Sequence, residues 1–348
     1  MLAIHTGSGL FVPAWLEYCS RHNVAYREVN CYASDIVEQL SGCSGLMWHW
    51  QHNDYRAAQF ARQLTASLET AGIEVFPNTN TAWHFDDKVG QKYLLESVGA
   101  PLIPSHVFYD EDSAIGWLEK AQFPLVWKLK SGAGSRNVKL VHNLAQAKGI
   151  VRRSFKKGWR ASRLHPLNER IWHFRRSPGI DSFLRISRGA VRSVIPHEKY
   201  RRQVVDKNYV LFQDFAPDNT FDIRVIVIGD RAFAIKRMVR DGDFRASGSG
   251  MIIHDPAEIP IECIELAFEV TQSIGSQCCA FDLVVNNGEW QIVEISYAFS
   301  VPGYTGCPGY WTSGLEWVAE EPQPEHFMIE DMLSRLQAPS NTVGCARP

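Results

Sequence analysis

The sequence predicts a small α/β layer followed by a larger α+β region. Short apolar runs alternate with helical patterns over the first 80 residues, as in a parallel sheet covered on both faces. From residue 104 onward strand-like segments dominate, and few helical patterns interrupt them. A chain of 348 residues can form one large domain or two to three smaller ones with their own cores.

Composition and charge exclude several classes of protein. The net charge of -2 gives no general attraction to nucleic acid or to membranes, so neither is an expected partner. The 8 cysteines show neither metal-ligand spacing nor a regular disulfide pattern, which indicates reduced thiols and a cytoplasmic location. The first residues do not read as a signal peptide, and no apolar run reaches the roughly 18 residues that a membrane span needs.

The first region reads as strand and helix in alternation. Strands are expected within residues 2–6, 25–30, 45–50 and 73–78, and helices within 11–23, 34–40 and 54–72. Gly7-Ser8-Gly9 follows the first strand and could open a dinucleotide site. Because the full G-x-G-x-x-G pattern is absent, a plain strand-to-helix turn is the better interpretation.

The second region contains more strands than helices. One long helix is expected from Thr81 to Val98, ending at Gly99-Ala100-Pro101. Two dense strands form a hairpin over Gly229-Asp230, and a short helix is expected from Glu325. Further strands are expected within 105–110, 123–130, 137–143 and 208–215, and further helices within 112–121, 144–155 and 257–275.

Residues 151–208 are unusually basic, with about four arginines and lysines for each acidic residue. Such a stretch is either a solvated face or a site for an anionic ligand, such as a phosphate or a sugar-linked nucleotide. The sequence leaves both interpretations open.

A late hairpin, residues 280–300, carries two carboxylates inside apolar strands. Side chains alternate faces along a strand, so a two-residue loop at Asn287-Gly288 would place Asp282 and Glu294 on opposite faces. A three-residue loop beginning at Asn286 would place them on the same face, close enough to share a cation, and we predict this loop. A divalent cation such as Mg²⁺ would relieve their repulsion; pairing with arginine or exposure to solvent is the alternative.

A strand, a small-residue loop and a second strand suggest contacts with phosphate. Gly132, Gly134 and Ser135 belong to a loop whose N–H groups could close on phosphate oxygens, although such a loop is equally typical of a flexible hairpin tip. Strand parity places Lys128 and Lys130 on one face, and either could hold phosphate.

Three arginines, Arg224, Arg237 and Arg245, follow in a second strand pair. Arg224 lies inside an otherwise apolar strand, where an unpaired guanidinium would be costly. Its partner is either a structural carboxylate, such as Asp222 or Asp282, or a phosphoryl group.

These segments, taken in order, resemble the ATP-grasp superfamily of carboxylate–amine ligases. The resemblance runs from about residue 86 to 300 and is clearest in DDKVGQKYLLESVGAPLIP, FPLVWKLKSGAGSRNVKLV, LFQDFAPDNTFDIRVIVIGDRAFAIKR and AFDLVVNNGEWQIVEIS. The ribosomal-protein glutamate ligase branch is the most similar, and the CPGYW segment resembles ATP-grasp proteins found with surface-polysaccharide genes.

The resemblance implies an ATP-grasp fold with an N-terminal Rossmann-like domain. It implies a pre-ATP-grasp domain over 1–84, a central subdomain over 85–210, a C-terminal subdomain over 211–335 and a flexible tail over 336–348. It also implies ATP and Mg²⁺, with Mn²⁺ as an alternative ion, and two small-molecule substrates, a carboxylate and an amine, such as an amino acid or a sugar-linked compound. A homodimer is common among proteins of this kind.

The resemblance also assigns roles to individual residues. Lys88 and Lys128 would bind phosphates under the loop 132–135, and Asp222 would hold the ribose hydroxyls. Gln213, Asp214 and Phe215 would lie along the adenine. Asp282 and Glu294 would bind Mg²⁺, while Arg224, Arg237 and Arg245 would offset phosphoryl charge or steer the carboxylate.

One departure concerns the metal ligands. The family usually ends its metal motif in Glu-x-Asn, and this chain has Glu294-Ile295-Ser296. A serine hydroxyl is a shorter and poorer oxygen donor than an amide, which places a full two-metal site in question.

Four functions are therefore compared. The first is a ligase that forms an acyl phosphate, and the second is phosphotransfer to a hydroxyl. The third is nucleotide binding without turnover, and the fourth is polyanion binding through residues 151–208. We favour the ligase.

Two aromatic segments leave further alternatives open. Residues 48–52, WHWQH, end a predicted parallel strand, where open sheets bind ligands, although packing under a loop is the simpler interpretation. Residues 304–311 could cover the second substrate or close the core.

Overall fold

A computed structural model describes residues 1–7, 9–51, 54–131, 137–159, 205–239 and 250–337. Several predictions concern residues outside these ranges, so their placement is untested. They are Gly132, Gly134, Ser135, Arg245, most of the basic segment and the tail beyond residue 337.

The first sheet is a four-stranded parallel sheet, as the alternating pattern predicts. Its strand order is β2-β1-β3-β4. The strands are β1 Leu2–His5, β2 Tyr26–Val29, β3 Gly45–Met47 and β4 Glu74–Phe76, and the helices between them are α1 Val12–Arg21, α2 Ile36–Gln39 and α3 Tyr55–Thr70.

The predicted helix from Thr81 to Val98 is wrong in its first half. The chain instead forms α4 Thr79–Ala82 and α5 Lys88–Ser97. Asp86 between them has a positive φ of 55°, which breaks the helical path. The Asp87 side chain accepts a hydrogen bond from the Gly90 N–H and caps α5, so Lys88 begins the helix.

The second sheet is antiparallel, with the order β5-β8-β6-β7. Two helices pack together beside it and bury its apolar side chains. The strands are β5 Ser105–Phe108, β6 Leu125–Lys128, β7 Val138–Val141 and β8 Val210–Asp214, and the helices are α6 Glu111–Leu118 and α7 Leu144–Lys156.

The third sheet is the largest and holds the two predicted hairpins. Six of its strands follow the order β13-β12-β9-β10-β14-β15, and β11 pairs with β10. The strands are β9 Phe221–Ile228, β10 Arg231–Met238, β11 Ile252–Ile253, β12 Cys278–Asn286, β13 Glu289–Ser296, β14 Tyr310–Thr312 and β15 Trp317–Val318. The helix α8 Ile261–Ile274 covers one face, after a short 3₁₀ turn at Pro256–Glu258.

The last helix, α9 Pro324–Gln337, returns to the first sheet and packs on α1 and β4. Arg335 forms an ion pair with Glu74 of β4 at 3.3 Å. Among the described residues, no helix has both the length and the apolar character to cross a membrane.

The predicted three-residue loop of the late hairpin is wrong, although the same-face placement is correct. Asn286 pairs with Glu289, so the loop has the two residues Asn287 and Gly288, both with positive φ. A β-bulge at Val293 shifts the register, since Leu283 pairs with Ile292 and Asp282 pairs with Glu294. The bulge therefore brings the two carboxylates opposite one another.

Candidate active site

A cavity of about 630 Å³ lies where the three sheets meet. The third sheet forms its floor with the two hairpins β9–β10 and β12–β13, and the second sheet contributes β6 and β8. Eleven of the predicted site residues line this cavity, namely Lys88, Lys128, Gln213, Asp214, Phe215, Asp222, Arg224, Arg237, Asp282, Glu294 and Ser296.

Asp282 is paired with two arginines. Its Oδ1 lies 2.8 Å from Nη1 of Arg224 and 2.9 Å from Nη2 of Arg237. Arg224 is its direct partner on the neighbouring strand β9. Burial alone would raise the pKa of Asp282, but the two guanidinium groups hold that pKa below its ordinary value. Asp282 is therefore a carboxylate whose charge is neutralised within the free protein.

Glu294 and two lysines belong to the same group of charged side chains as Asp282. Glu294 Oε1 lies 3.0 Å from Nζ of Lys88, which is almost fully buried. Lys128 is also buried, and its pKa is lowered to about 8, mainly by burial. Glu294 and Asp282 oppose this shift, and the positive charge of Lys88 adds to it. Two cations side by side in a buried site favour an anionic ligand.

Lys130 is separated from this group. Strand β6 ends at Lys128, so the predicted parity does not extend two residues further. The Lys130 ammonium pairs with Asp87 at 3.0 Å and is about half exposed, and it does not line the cavity. Among the three candidate phosphate lysines, only Lys88 and Lys128 face the cavity.

The oxygen atoms of Asp282, Glu294 and Ser296 provide some of the ligands that a hard divalent cation needs. Asp282 and Glu294 supply carboxylate oxygens on opposed positions. The Ser296 hydroxyl donates a hydrogen bond to the carbonyl oxygen of Ala298 at 2.8 Å, which leaves its own lone pairs available. Over the described part of the chain, no three His, Cys, Asp or Glu side chains form a metal-binding group. A cation here would need oxygens from its ligand as well.

The candidate adenine segment forms the opposite wall. Gln213 is buried, and its Nε2 donates to Ser105 Oγ at 3.0 Å and to the Val293 carbonyl oxygen at 3.4 Å. Asp214 and Phe215 follow at the cavity surface, and Asp214 contacts His106 at 3.1 Å. Gln213 therefore links this wall to the bulge that positions Glu294.

Asp222, the candidate ribose ligand, is bound by Arg237. The Arg237 guanidinium donates from Nε to Asp222 Oδ1 at 2.7 Å and from Nη2 to Asp222 Oδ2 at 2.5 Å. Both residues are less than a tenth exposed. Arg237 thus contacts Asp222 and Asp282 together.

The cavity is also lined by residues that have no assigned role in the predicted site. His49 and Gln51 line it, whereas Trp48 and Trp50 of the same segment pack into the core. The only feature of the sequence that pointed to His49 and Gln51 was the position of their segment at the end of a predicted parallel strand.

Tyr304 also lines the cavity and lies beside Arg224; burial raises its pKa to about 12. Trp311, at the end of the same aromatic segment, belongs to the core. Asp86 lines the cavity as well, and the DDK run that contains it was the only signal in the sequence.

Comparison with known proteins agrees with this architecture. The model of the RimK-like ATP-grasp domain matches residues 172–307. A curated relative, the uncharacterized protein MG012 homolog of Mycoplasma pneumoniae, is 22% identical over 211 residues, covering 59% of this chain and 67% of that protein.

Two solved structures illustrate the structural similarity. The biotin carboxylase domain of the Hydrogenobacter thermophilus 2-oxoglutarate carboxylase, a complex with MgADP, ADP and bicarbonate, superposes with a TM-score of 0.58 at 12% identity. The alignment covers 94% of this chain and 68% of that one. The D-alanine–D-alanine ligase of Bacillus anthracis gives a TM-score of 0.52 at 13% identity, with 97% and 98% of the two chains covered. The chain therefore has the ATP-grasp fold, and its residues 172–307 are similar to the RimK-like ATP-grasp domain.

Proposed function

We propose that this protein is an ATP-dependent ligase that joins a carboxylate to an amine through an acyl phosphate. The observation that carries the proposal is the cavity in which Lys88, Lys128 and Arg224 surround the Asp282–Glu294 pair. Cations placed beside two oxygen-rich side chains suit a metal-bound triphosphate. The similarity to a D-alanine–D-alanine ligase and to a carboxylase domain with bound MgADP supports the same chemistry.

Each group has a distinct role in the proposed reaction. Lys88 and Lys128 hold the phosphates, and Gln213, Asp214 and Phe215 contact the base. Asp282 and Glu294 would hold Mg²⁺ (or Mn²⁺), which supplies positive charge to the terminal phosphates when bound. Arg224, the arginine that reaches Asp282 through one nitrogen, stabilises charge on the transferred phosphoryl group.

The bonds formed and broken balance in two steps. A carboxylate oxygen of the substrate attacks the γ-phosphorus, and the bond from that phosphorus to the ADP oxygen breaks. The amine nitrogen then attacks the acyl carbon, phosphate leaves with the bonding electrons, and the amine proton passes to a phosphate oxygen. The protein contributes position and charge to both steps and needs no separate base.

The proposal is tested with MgATP, a panel of carboxylic acids and hydroxylamine as the amine. A ligase produces ADP and a hydroxamate together, whereas a phosphotransferase produces ADP and a stable phosphorylated compound. Release of ADP with neither product, or binding of ATP without turnover for every acid, would contradict the proposal.

A matched pair of variants tests whether the reaction takes place in this cavity. Glu294→Gln is expected to lower ADP release about 100-fold, because the cavity loses one of its two opposed carboxylates. Glu289→Gln changes an exposed glutamate on the same strand and is expected to leave the rate unchanged. Equal rates for the two variants would remove Glu294 from the site.

A further inference from the structure

The two arginines that contact Asp282 are held in different ways. Arg237 is fixed by Asp222 through two hydrogen bonds, at 2.7 Å and 2.5 Å, and the two residues are direct partners on β9 and β10. A guanidinium group that forms a bidentate pair with one carboxylate has a defined plane and direction.

Among the residues that the structure describes, no carboxylate holds Arg224 through both of its oxygens. Arg224 reaches Asp282 through Nη1 at 2.8 Å and lies beside Tyr304. A ligand phosphate that competes for Arg224 therefore breaks one contact with Asp282. Displacing Arg237 would require breaking a buried bidentate pair as well, which is costly.

We propose that Asp222 is a positioning residue that fixes Arg237 against Asp282, and that it does not hold the ribose hydroxyls. Both of its oxygens are already engaged by Arg237, and its side chain is 11% exposed. Arg237 then stays in contact with Asp282 when the nucleotide binds, and Arg224 is the arginine that moves to the nucleotide. This inference rests on the proposed nucleotide site, but it concerns Asp222, to which the proposed reaction assigns no role.

The inference predicts how Asp222 affects metal binding. In Asp222→Asn, the positive charge of Arg237 is no longer offset by Asp222, so the site around Asp282 carries one more positive charge. The Mg²⁺ concentration needed for half-maximal binding of a non-hydrolysable ATP analogue is expected to rise about tenfold. Binding of the analogue without metal should stay unchanged or become tighter.

Ribose recognition separates this role from the alternative one. Isothermal titration of ATP and 2′-deoxyATP is expected to give the same affinity ratio for the wild type and for Asp222→Asn. If Asp222 bound the ribose hydroxyls, the variant would bind ATP more weakly and would bind 2′-deoxyATP with unchanged affinity. This result would overturn the proposal. Asp218→Asn, an exposed aspartate four residues away, is the matched control.

A second measurement needs no nucleotide. Mn²⁺ is titrated into the protein alone and followed by electron paramagnetic resonance. The double variant Asp222→Asn/Arg237→Met removes both members of the buried pair and leaves neither unpaired, which protects the fold if the single variant fails. It is expected to bind Mn²⁺ about tenfold more tightly than the wild type, because Asp282 no longer faces Arg237.

The two measurements separate this inference from the proposed function. Equal Mn²⁺ affinity of the double variant and the wild type would overturn the role of Asp222 and Arg237. If the Mn²⁺ result holds and the wild type binds no ATP, the proposed ligase is wrong and the positioning role stands.

Discussion

Lys128 is the side chain in the cavity whose charge depends most on the ligand. It is buried, and this burial together with the adjacent Lys88 brings its pKa to about 8. In the free protein the ammonium is therefore charged below about pH 8 and largely neutral above it. A bound phosphate favours the charged form and raises this pKa.

Nucleotide binding should consequently take up a proton in alkaline solution. At pH 9 we expect the wild type to bind about one proton with each nucleotide, and its affinity to fall as the pH rises above 8. Isothermal titration in two buffers with different heats of ionisation measures this uptake. Lys128→Met should abolish it.

Lys130→Met is the control for this prediction. Lys130 pairs with Asp87 outside the cavity, so its loss should leave the proton uptake unchanged. An uptake that persists in Lys128→Met would assign the titration to another group.

For individual residues, the sequence predicted which charged groups belong to the site, but it did not determine which of them pair with each other. Strand parity predicted the same-face Asp282–Glu294 pair only through a three-residue loop, and the structure has a two-residue loop with a bulge instead. Pairing of one or both acids with arginine was the alternative, and it holds for Asp282. The choice of Arg224 as the partner of Asp282 depends on how β9 aligns with β12, and these two residues are 58 positions apart along the chain. No local pattern determines such an alignment.

Among the elements, the late hairpin depends on two local features. Asn287 and Gly288 form the tight turn with positive φ values of 53° and 85°. The bulge at Val293 then returns Glu294 to the face of Asp282. The turn was visible in the sequence as Asn-Asn-Gly, but the bulge was not, because Val293 is an ordinary strand residue.

Two glycine substitutions test the role of the turn. Gly288→Ala is expected to lower the free energy of unfolding by about 1 kcal/mol, since alanine resists a positive φ. Gly149→Ala lies on an exposed face of α7 with open space around it, and is expected to raise the free energy by about 0.5–1 kcal/mol. Urea unfolding measures both values, and changes of equal sign would contradict this account.

The break between α4 and α5 shows why one predicted helix failed. The apolar periodicity continues from Thr81 to Val98, but Asp86 adopts a positive φ and Asp87 caps a new helix. Adjacent aspartates are typical of a helix start, and the periodicity concealed it.

For the whole molecule, the contacts between the first and third sheets matter most. Tyr297 follows β13 directly and is fully buried. Its hydroxyl accepts a hydrogen bond from the Trp50 N–H at 3.1 Å and donates one to the Trp50 carbonyl oxygen at 2.5 Å. The strand that carries Glu294 is therefore tied to the segment that carries His49.

Removal of this hydroxyl should weaken the whole fold. Tyr297→Phe leaves two buried backbone groups of Trp50 without partners, and we expect a loss of about 2 kcal/mol or more in the free energy of unfolding. Tyr93→Phe removes an exposed hydroxyl that hydrogen-bonds to the hydroxyl of Tyr109, and should change the free energy by less than about 0.5 kcal/mol. Similar losses in the two variants, measured by urea unfolding, would show that Tyr297 does not join the sheets.

The order of the three sheets along the chain was predictable from the alternation of strands and helices. Their mutual contacts were not, because a residue such as Gln277 bonds to Val75 and Asn78 from a distant position. These contacts bring His49 and Gln51 to the cavity formed by the later hairpins.

The return of α9 to the first sheet affects the order in which the protein can mature on the ribosome. Leu336 lies beside Gly45 and Leu2, so these early residues keep an uncovered apolar surface until α9 has been translated. A nascent chain that stalls before α9 should therefore be a good client for chaperones that recognise exposed apolar segments, although every residue that lines the cavity has already been synthesised.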